Sequence, residues 1–128
     1  MTHSQAADLW VESSERNLKI AHDLMKLKHY DWALYMGQLV LEKILKGLYE
    51  KRANHVPPYI HDLVKLAKLA NLKLTKSHEE NLAEISTFHV VARYENIKNQ
   101  LYKKATKDYA NNFMAIIEMF SIWFKKLY

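Results

Sequence analysis

Cysteine is absent from the 128 residues, which excludes a disulfide framework, thiolate zinc sites and cysteine catalysis. This lack also fits a reducing cytosol. Residues Met1–Asp8 lack the basic stretch and apolar run of a signal peptide, and no window reaches the ~18 apolar residues that a membrane span requires. We therefore expect a cytoplasmic protein that does not enter a membrane.

Glycine and proline are scarce as well, at two residues each, and the prolines are adjacent at Pro57 and Pro58. Long segments thus run without a helix breaker, which favours helices over many short strands. A chain of 128 residues with 49% hydrophobic residues can build one core. We expect a single all-α domain over residues 1–128.

Three long segments carry apolar residues at the three- and four-residue spacing of an amphipathic helix. The first runs from Gln5 to Leu27, the second begins near Asp31, which we expect to cap it, and the last runs from about Tyr102 to Leu127. In the second helix, apolar residues leave only a narrow, mainly polar strip, which predicts a central place in the bundle. That strip consists of Leu39, Lys43, Lys46 and Glu50.

The adjacent prolines predict a linker loop over residues 54–61, because they remove backbone donors and push the preceding residues towards extended geometry. His61 or Asp62 then opens a short helix that ends near Asn71.

Ser77 and Glu80 have the S-x-x-E spacing of a capping box, which predicts the start of another long helix. Asn96 and Asn99 are poor helix formers, so we expect a break within residues 91–99. These segments predict an up-and-down antiparallel bundle of four long helices plus one short helix.

Metal sites common in helical bundles have no counterpart in this sequence. No histidine follows a glutamate by three residues, no H-E-x-x-H motif occurs and no two histidines are four residues apart. Gly37 and Gly47 are isolated within a helical pattern, so they do not form a phosphate-binding loop. We predict no metal and no cofactor.

The net charge of +5 and pI near 9.3 favour a polyanion such as RNA, or an acidic partner. A solvated lysine-rich surface explains the same charge equally well, because a net charge of this size is ordinary for a small soluble domain. The sequence also contains no arginine-rich block of the kind that marks a strong nucleic-acid arm.

Several short patterns resemble the HEPN domain family in their order and spacing, and together they span most of the chain. They are Trp10, Ala21 and Leu24; Tyr30, Asp31, Trp32 and Ala33; Gln38; Glu42 and Lys43; Leu45 and Lys46; His61, Asp62 and Leu63; and Ala92, Arg93 and Tyr94. The resemblance implies a helical bundle that forms a homodimer. It also implies a minimal nucleotidyltransferase as partner, in a pair of toxin–antitoxin type.

Some members of this family are metal-independent RNases, whose signature is an arginine followed after four to six residues by a histidine. Histidine then supplies acid or base, and arginine stabilises phosphate charge. Here the matching positions after Arg93 hold Lys98, Asn99 and Gln100, so the signature is missing. Arg16 and His22 have the spacing, but within a helix their side chains point ~120° apart.

Arg93 and His89 are the candidate catalytic residues, and the candidate ligand-binding residues are Arg93, Tyr94, Lys43 and Lys46. Each has a structural alternative. Arg93 can pair with Glu42, His89 can bond to the backbone, and the lysines can form ion pairs on the helix surface.

His61 and Asp62 could form a catalytic dyad, although Asp62 is better placed as a helix cap. The aromatic residues near the C-terminus exceed what one helical face buries, which indicates an interface there. They are Phe120, Trp123, Phe124 and Tyr128.

The sequence thus favours a non-catalytic binding module that associates with a nucleotidyltransferase and with nucleotide or RNA. One alternative is a metal-independent RNase toxin with a degenerate site. A structural interaction protein with no preference for polyanions is the other.

Overall fold

The computed structural model describes residues 1–92 and 95–128, and within these ranges the chain is helical and contains no strand. Its helices are α1 (His3–Lys26), α2 (Tyr30–Ala53), α3 (Leu63–Leu69), α4 (Lys76–Ser86), a 3-10 helix (Thr87–Ala92), α5 (Glu95–Lys104) and α6 (Lys107–Leu127). The all-α prediction is confirmed. The described part has more helices than expected, because the segment between α3 and α6 is divided further.

Helix α2 lies at the centre of the bundle, as its wide apolar arc predicts. It packs against α1, α3, α6 and the 3-10 helix, and residues on nearly all its sides are buried. Its leucines and isoleucine join phenylalanines of α6 and the 3-10 helix in one core. Every later element is therefore placed by its contact with α2.

Pairs of side chains fix the directions of the long helices. Lys43 of α2 contacts Ser13 of α1, while Glu50 contacts Trp10, so α1 and α2 are antiparallel. Helix α6 runs parallel to α2, because Gly37 near the start of α2 lies against Ile117, whereas Arg52 at the end of α2 donates to the carbonyl oxygen of Leu127.

The two glycines of α2 lie where neighbouring helices come close. A Cβ on Gly47 would lie 3.2 Å from the backbone oxygen of Ala7 and 3.3 Å from Cβ of Trp10. On Gly37 it would lie 2.6 Å from Cδ1 of Ile117 in α6. Both glycines therefore permit close helix packing, as expected for isolated glycines in a helical pattern.

Two of the predicted helix caps are wrong. Helix α4 begins after Thr75, whose hydroxyl accepts from the backbone of His78, so the capping box precedes Ser77. Helix α2 begins after His29, which makes no side-chain cap, and Asp31 lies in the first turn. Asp62 does cap α3, since its carboxylate accepts from the backbone of Lys65 at 3.1 Å.

The break expected within residues 91–99 is shorter than predicted, because the 3-10 helix extends to Ala92 and α5 begins at Glu95. The buried side chain of Leu101 anchors α5 to the core, which outweighs the poor propensities of Asn96 and Asn99. A second interruption follows α5, where Thr106 caps α6.

The aromatic residues of α6 are buried more fully than expected. Phe120 and Phe124 are completely buried, and the exposed apolar residues of α6 are instead Met119, Ile122 and Leu127. Within the described residues, every helix is too short or too polar to cross a bilayer.

We predict that Gly47→Val lowers the free energy of unfolding by about 2 kcal/mol, because its side chain would push α1 away from α2. Urea unfolding followed by circular dichroism measures this loss. Ala53→Val, at an exposed position of α2, is the matched control and should cost about 0.5 kcal/mol. Equal losses in the two variants would contradict the close contact.

Candidate functional site

Four polar residues, each four positions after the last, form a buried strip along α2. Gln38, Glu42, Lys46 and Glu50 are all at most 5% exposed. The sequence pattern placed Lys46 and Glu50 on the mainly polar strip beside the buried arc of α2, but both residues are buried. Their charges tolerate burial because each has a partner of opposite charge or a hydrogen-bond donor or acceptor close by.

Glu42 is the centre of this strip. Its Oε1 accepts hydrogen bonds from Gln38 at 2.8 Å and His61 Nδ1 at 2.8 Å, while Oε2 lies 3.0 Å from the Lys46 ammonium. Burial by itself would raise the pKa of Glu42, but these three donors and the Lys46 charge lower it overall. Glu42 is therefore a carboxylate inside the bundle.

The strip continues through Lys46 and Glu50 to the end of α2 that lies beside the start of α1. The Lys46 ammonium lies 5.7 Å from the ring centre of Trp10 and 5.6 Å from that of Tyr59. Glu50 accepts from Trp10 Nε1 at 3.0 Å and lies 2.7 Å from His3 Nδ1. The polar strip thereby joins α1 and the linker loop to α2.

His61 and His89 stack on one another, with ring centres 5.2 Å apart and planes inclined by 22°. Nδ1 of His89 lies 2.6 Å from the Ser86 carbonyl oxygen, which only accepts, so this nitrogen carries a proton. His61 likewise directs a protonated Nδ1 at the Glu42 carboxylate. In each ring the Nδ1 proton is directed at an acceptor, so the fold sets the tautomer that the neutral form of the ring adopts.

The two histidines line an open cleft of about 960 Å³ between the linker loop, α4, the 3-10 helix and α5. Its apolar walls include Ile60, Ile97 and Leu101. Lys65 and Lys104 bring positive charge to the cleft, and Asp62 and Glu84 bring negative charge. Lys104 is paired with Glu84, and the Asp62 carboxylate caps α3. The cleft has the size of a small-molecule site, with apolar walls and a few polar groups.

The structure separates the sequence-predicted site residues. His89 lies at the cleft and bonds to the backbone, Lys46 is buried against Glu42, and Lys43 lies in the groove between α1 and α2, where it contacts Ser13. Arg93 and Tyr94 lie outside the described residues, and so does the proposed pairing of Arg93 with Glu42.

Sequence reasoning missed the pairing of His61 with Glu42. The two residues are 19 positions apart, on either side of the proline linker, so no local spacing connects them. Asp62 acts as the cap that we expected, while its neighbour His61 reaches back to α2. The described residues contain no group of three or more side chains that could hold a metal ion.

Four residues from the short sequence patterns converge on one polar cluster, namely Gln38, Glu42, Lys46 and His61. A model of the HEPN domain family matches residues 7–127. The chain belongs to the HEPN domain family.

A solved structure supports the same fold for this HEPN chain. It is the crystal structure of TT1696 from Thermus thermophilus, which is 20% identical and superposes over 100% of both chains with a TM-score of 0.77. At this identity the likeness establishes the fold alone. A search of curated proteins gives no match.

We predict that Glu42→Gln lowers the free energy of unfolding at pH 7 by about 3 kcal/mol, because it leaves the buried Lys46 ammonium without its counter-charge. The wild-type advantage should be complete above pH 4.5 and disappear as the pH falls through the lowered pKa of Glu42. Urea unfolding between pH 3 and pH 7 measures both effects.

Glu79→Gln is the control, because Glu79 forms an exposed ion pair with Lys68. It should cost no more than about 0.5 kcal/mol. A Glu42→Gln protein as stable as this control would show that the buried network contributes little.

Proposed function

We propose that this HEPN chain is a non-catalytic binding module that takes a nucleotide or an RNA segment in the cleft beside His61 and His89. We also propose that it forms a homodimer in the cytoplasm and acts as the partner of a minimal nucleotidyltransferase. A gene for a small nucleotidyltransferase beside that of this chain would support the pairing.

The composition of the cleft supports a nucleotide ligand. Its apolar walls and two parallel imidazole rings offer surfaces on which a flat base packs favourably. Lys65, at the same cleft, supplies a charge for phosphate, and the chain as a whole carries +5. This combination of stacking surface and cation is the observation on which the proposal rests.

The outer face of α6 supports dimer formation. Met119 and Ile122 are 50% and 56% exposed and lie three residues apart, so they share one side of the helix. Exposed apolar side chains grouped in this way are a usual feature of subunit interfaces.

A second candidate function is a metal-independent RNase, and the pairing of Glu42 with His61 favours it. A carboxylate behind Nδ1 orients the imidazole and stabilises its protonated form. Nε2 of His61 would take the proton of the ribose 2′-hydroxyl, which attacks the neighbouring phosphate. Protonated His89 would give its proton to the leaving 5′-oxygen. This chemistry does not need the family's signature of an arginine followed after four to six residues by a histidine, only the two stacked histidines.

We predict that the purified protein binds single-stranded RNA and that Lys65→Met weakens this binding about fivefold at low salt, because one phosphate contact is lost. Fluorescence anisotropy with a labelled oligonucleotide measures the affinity. The control is Lys126→Met, an exposed lysine of α6 away from the cleft, which should leave the affinity within about twofold.

The same RNA, incubated in EDTA and separated by size, decides between the two functions. Intact RNA with the wild type and with Arg93→Ala supports the binding module. Cleavage that disappears in His61→Ala, His89→Ala or Arg93→Ala would show instead that the protein is a metal-independent RNase. If Lys65→Met and Lys126→Met change the affinity for RNA equally, the RNA does not bind in the cleft.

A further inference from the structure

A second polar group lies outside the cleft, in the groove where α1 crosses α2. The Lys43 ammonium donates a hydrogen bond to the hydroxyl of Ser13 at 2.6 Å. Arg16 follows Ser13 by three residues on α1, so the two side chains emerge on neighbouring positions of the same helix face. Lys43 of α2 and Arg16 of α1 therefore bring two positive charges to one place.

Among the residues that the structure describes, neither Lys43 nor Arg16 forms an ion pair with a carboxylate. Glu42 is adjacent in sequence, but its oxygens are occupied by Gln38, Lys46 and His61. Within the same described part of the chain, Glu12 lies one turn before Arg16 and makes no ion pair with it either.

The surroundings make this arrangement unfavourable for the unliganded protein. Lys43 is half-buried between the helices, and burial followed by the positive charge of Arg16 lowers its pKa. An ammonium that loses water gains from a negative partner, and a hydroxyl satisfies only one of its three donors. The groove thus presents donors and positive charge to which an anion can bind.

We propose that Ser13, Arg16 and Lys43 form an anion site that binds a phosphate group. A guanidinium binds two oxygens of a phosphate in parallel, and an ammonium adds a compact charge. The Ser13 hydroxyl accepts from Lys43 and retains its own proton to donate to a third oxygen. The phosphate is either a free phosphate or one unit of a nucleic-acid backbone, since both present the same oxygens.

This proposal is independent of the cleft. Lys43 points towards α1, whereas its neighbour Glu42 points to the linker loop and the cleft. Loss of ligand binding in the cleft would leave the anion site unaffected, so the two proposals fail separately.

Thermal unfolding in sodium phosphate and in sodium chloride, at equal ionic strength and pH, tests the site with inorganic phosphate as the probe. We expect phosphate to raise the midpoint of the wild type, and this rise to be lost in Lys43→Met and in Arg16→Met. Lys126→Met removes one exposed positive charge elsewhere and should keep the full rise. Without phosphate, Lys43→Met should be at least as stable as the wild type, because it removes an unneutralised charge.

A second arm identifies the source of the phosphate. Anisotropy with a short RNA should show about tenfold weaker binding for Lys43→Met if the site holds a backbone phosphate, and unchanged binding if it holds a free one. The proposal is overturned if phosphate stabilises all four proteins equally and RNA binding is equally unaffected in Lys43→Met and Lys126→Met. It is also overturned if Lys43→Met abolishes only self-association, because the anion would then be a carboxylate of a second copy.

Discussion

The buried carboxylate of Glu42 is the constraint on which the rest of this structure depends. A charge inside a small helical bundle is costly unless donors surround it, and here Gln38, Lys46 and His61 each provide one. Because these donors come from α2 and from the end of the linker loop, the same bonds hold that end of the loop against the central helix. The position and tautomer of His61, and with them one wall of the cleft, follow from this charge.

Helix α2 contributes to two groups of polar residues that differ in whether their charges compensate each other. The inner group is the buried strip of α2, in which Lys46 lies between two residues of opposite charge, Glu42 and Glu50. The rings of Trp10 and Tyr59 border the Lys46 ammonium. In the outer group, the positive charges of Lys43 and Arg16 act on each other, and the Lys43 ammonium donates to the hydroxyl of Ser13. Opposite charges that compensate each other mainly stabilise the fold and orient side chains, whereas two positive charges without an ion-pair partner attract an anionic ligand. This contrast assigns different roles to adjacent residues of one helix.

Much of the fold could be predicted from periodicity, because α1, α2 and α6 are long enough for an apolar stripe to be unambiguous. The start of α4 and the extent of α5 could not, since several residues near Thr75 can cap a helix and the core contact of Leu101 is not visible in local propensity. The site was less predictable still. Spacing places Lys46 and Glu50 on one face of α2, but the partners that bury them, Trp10 and His3, lie 40 and 47 residues away in sequence from Glu50. One signal was available: alternating charges four residues apart, on a helix otherwise apolar on most of its sides, indicate a buried network.

The tautomer of His61 tests the central role of Glu42 most directly. Long-range proton–nitrogen correlation spectra of histidine-labelled protein at pH 8 distinguish a protonated Nδ1 from a protonated Nε2 in each ring. Because Glu42 accepts from Nδ1, we expect a protonated Nδ1 and a basic Nε2 for His61 in the wild type, and loss of this fixed form in Glu42→Leu. A His61 that carries its proton on Nε2 in the wild type would contradict the account, because Glu42 would then not hold the ring at the cleft.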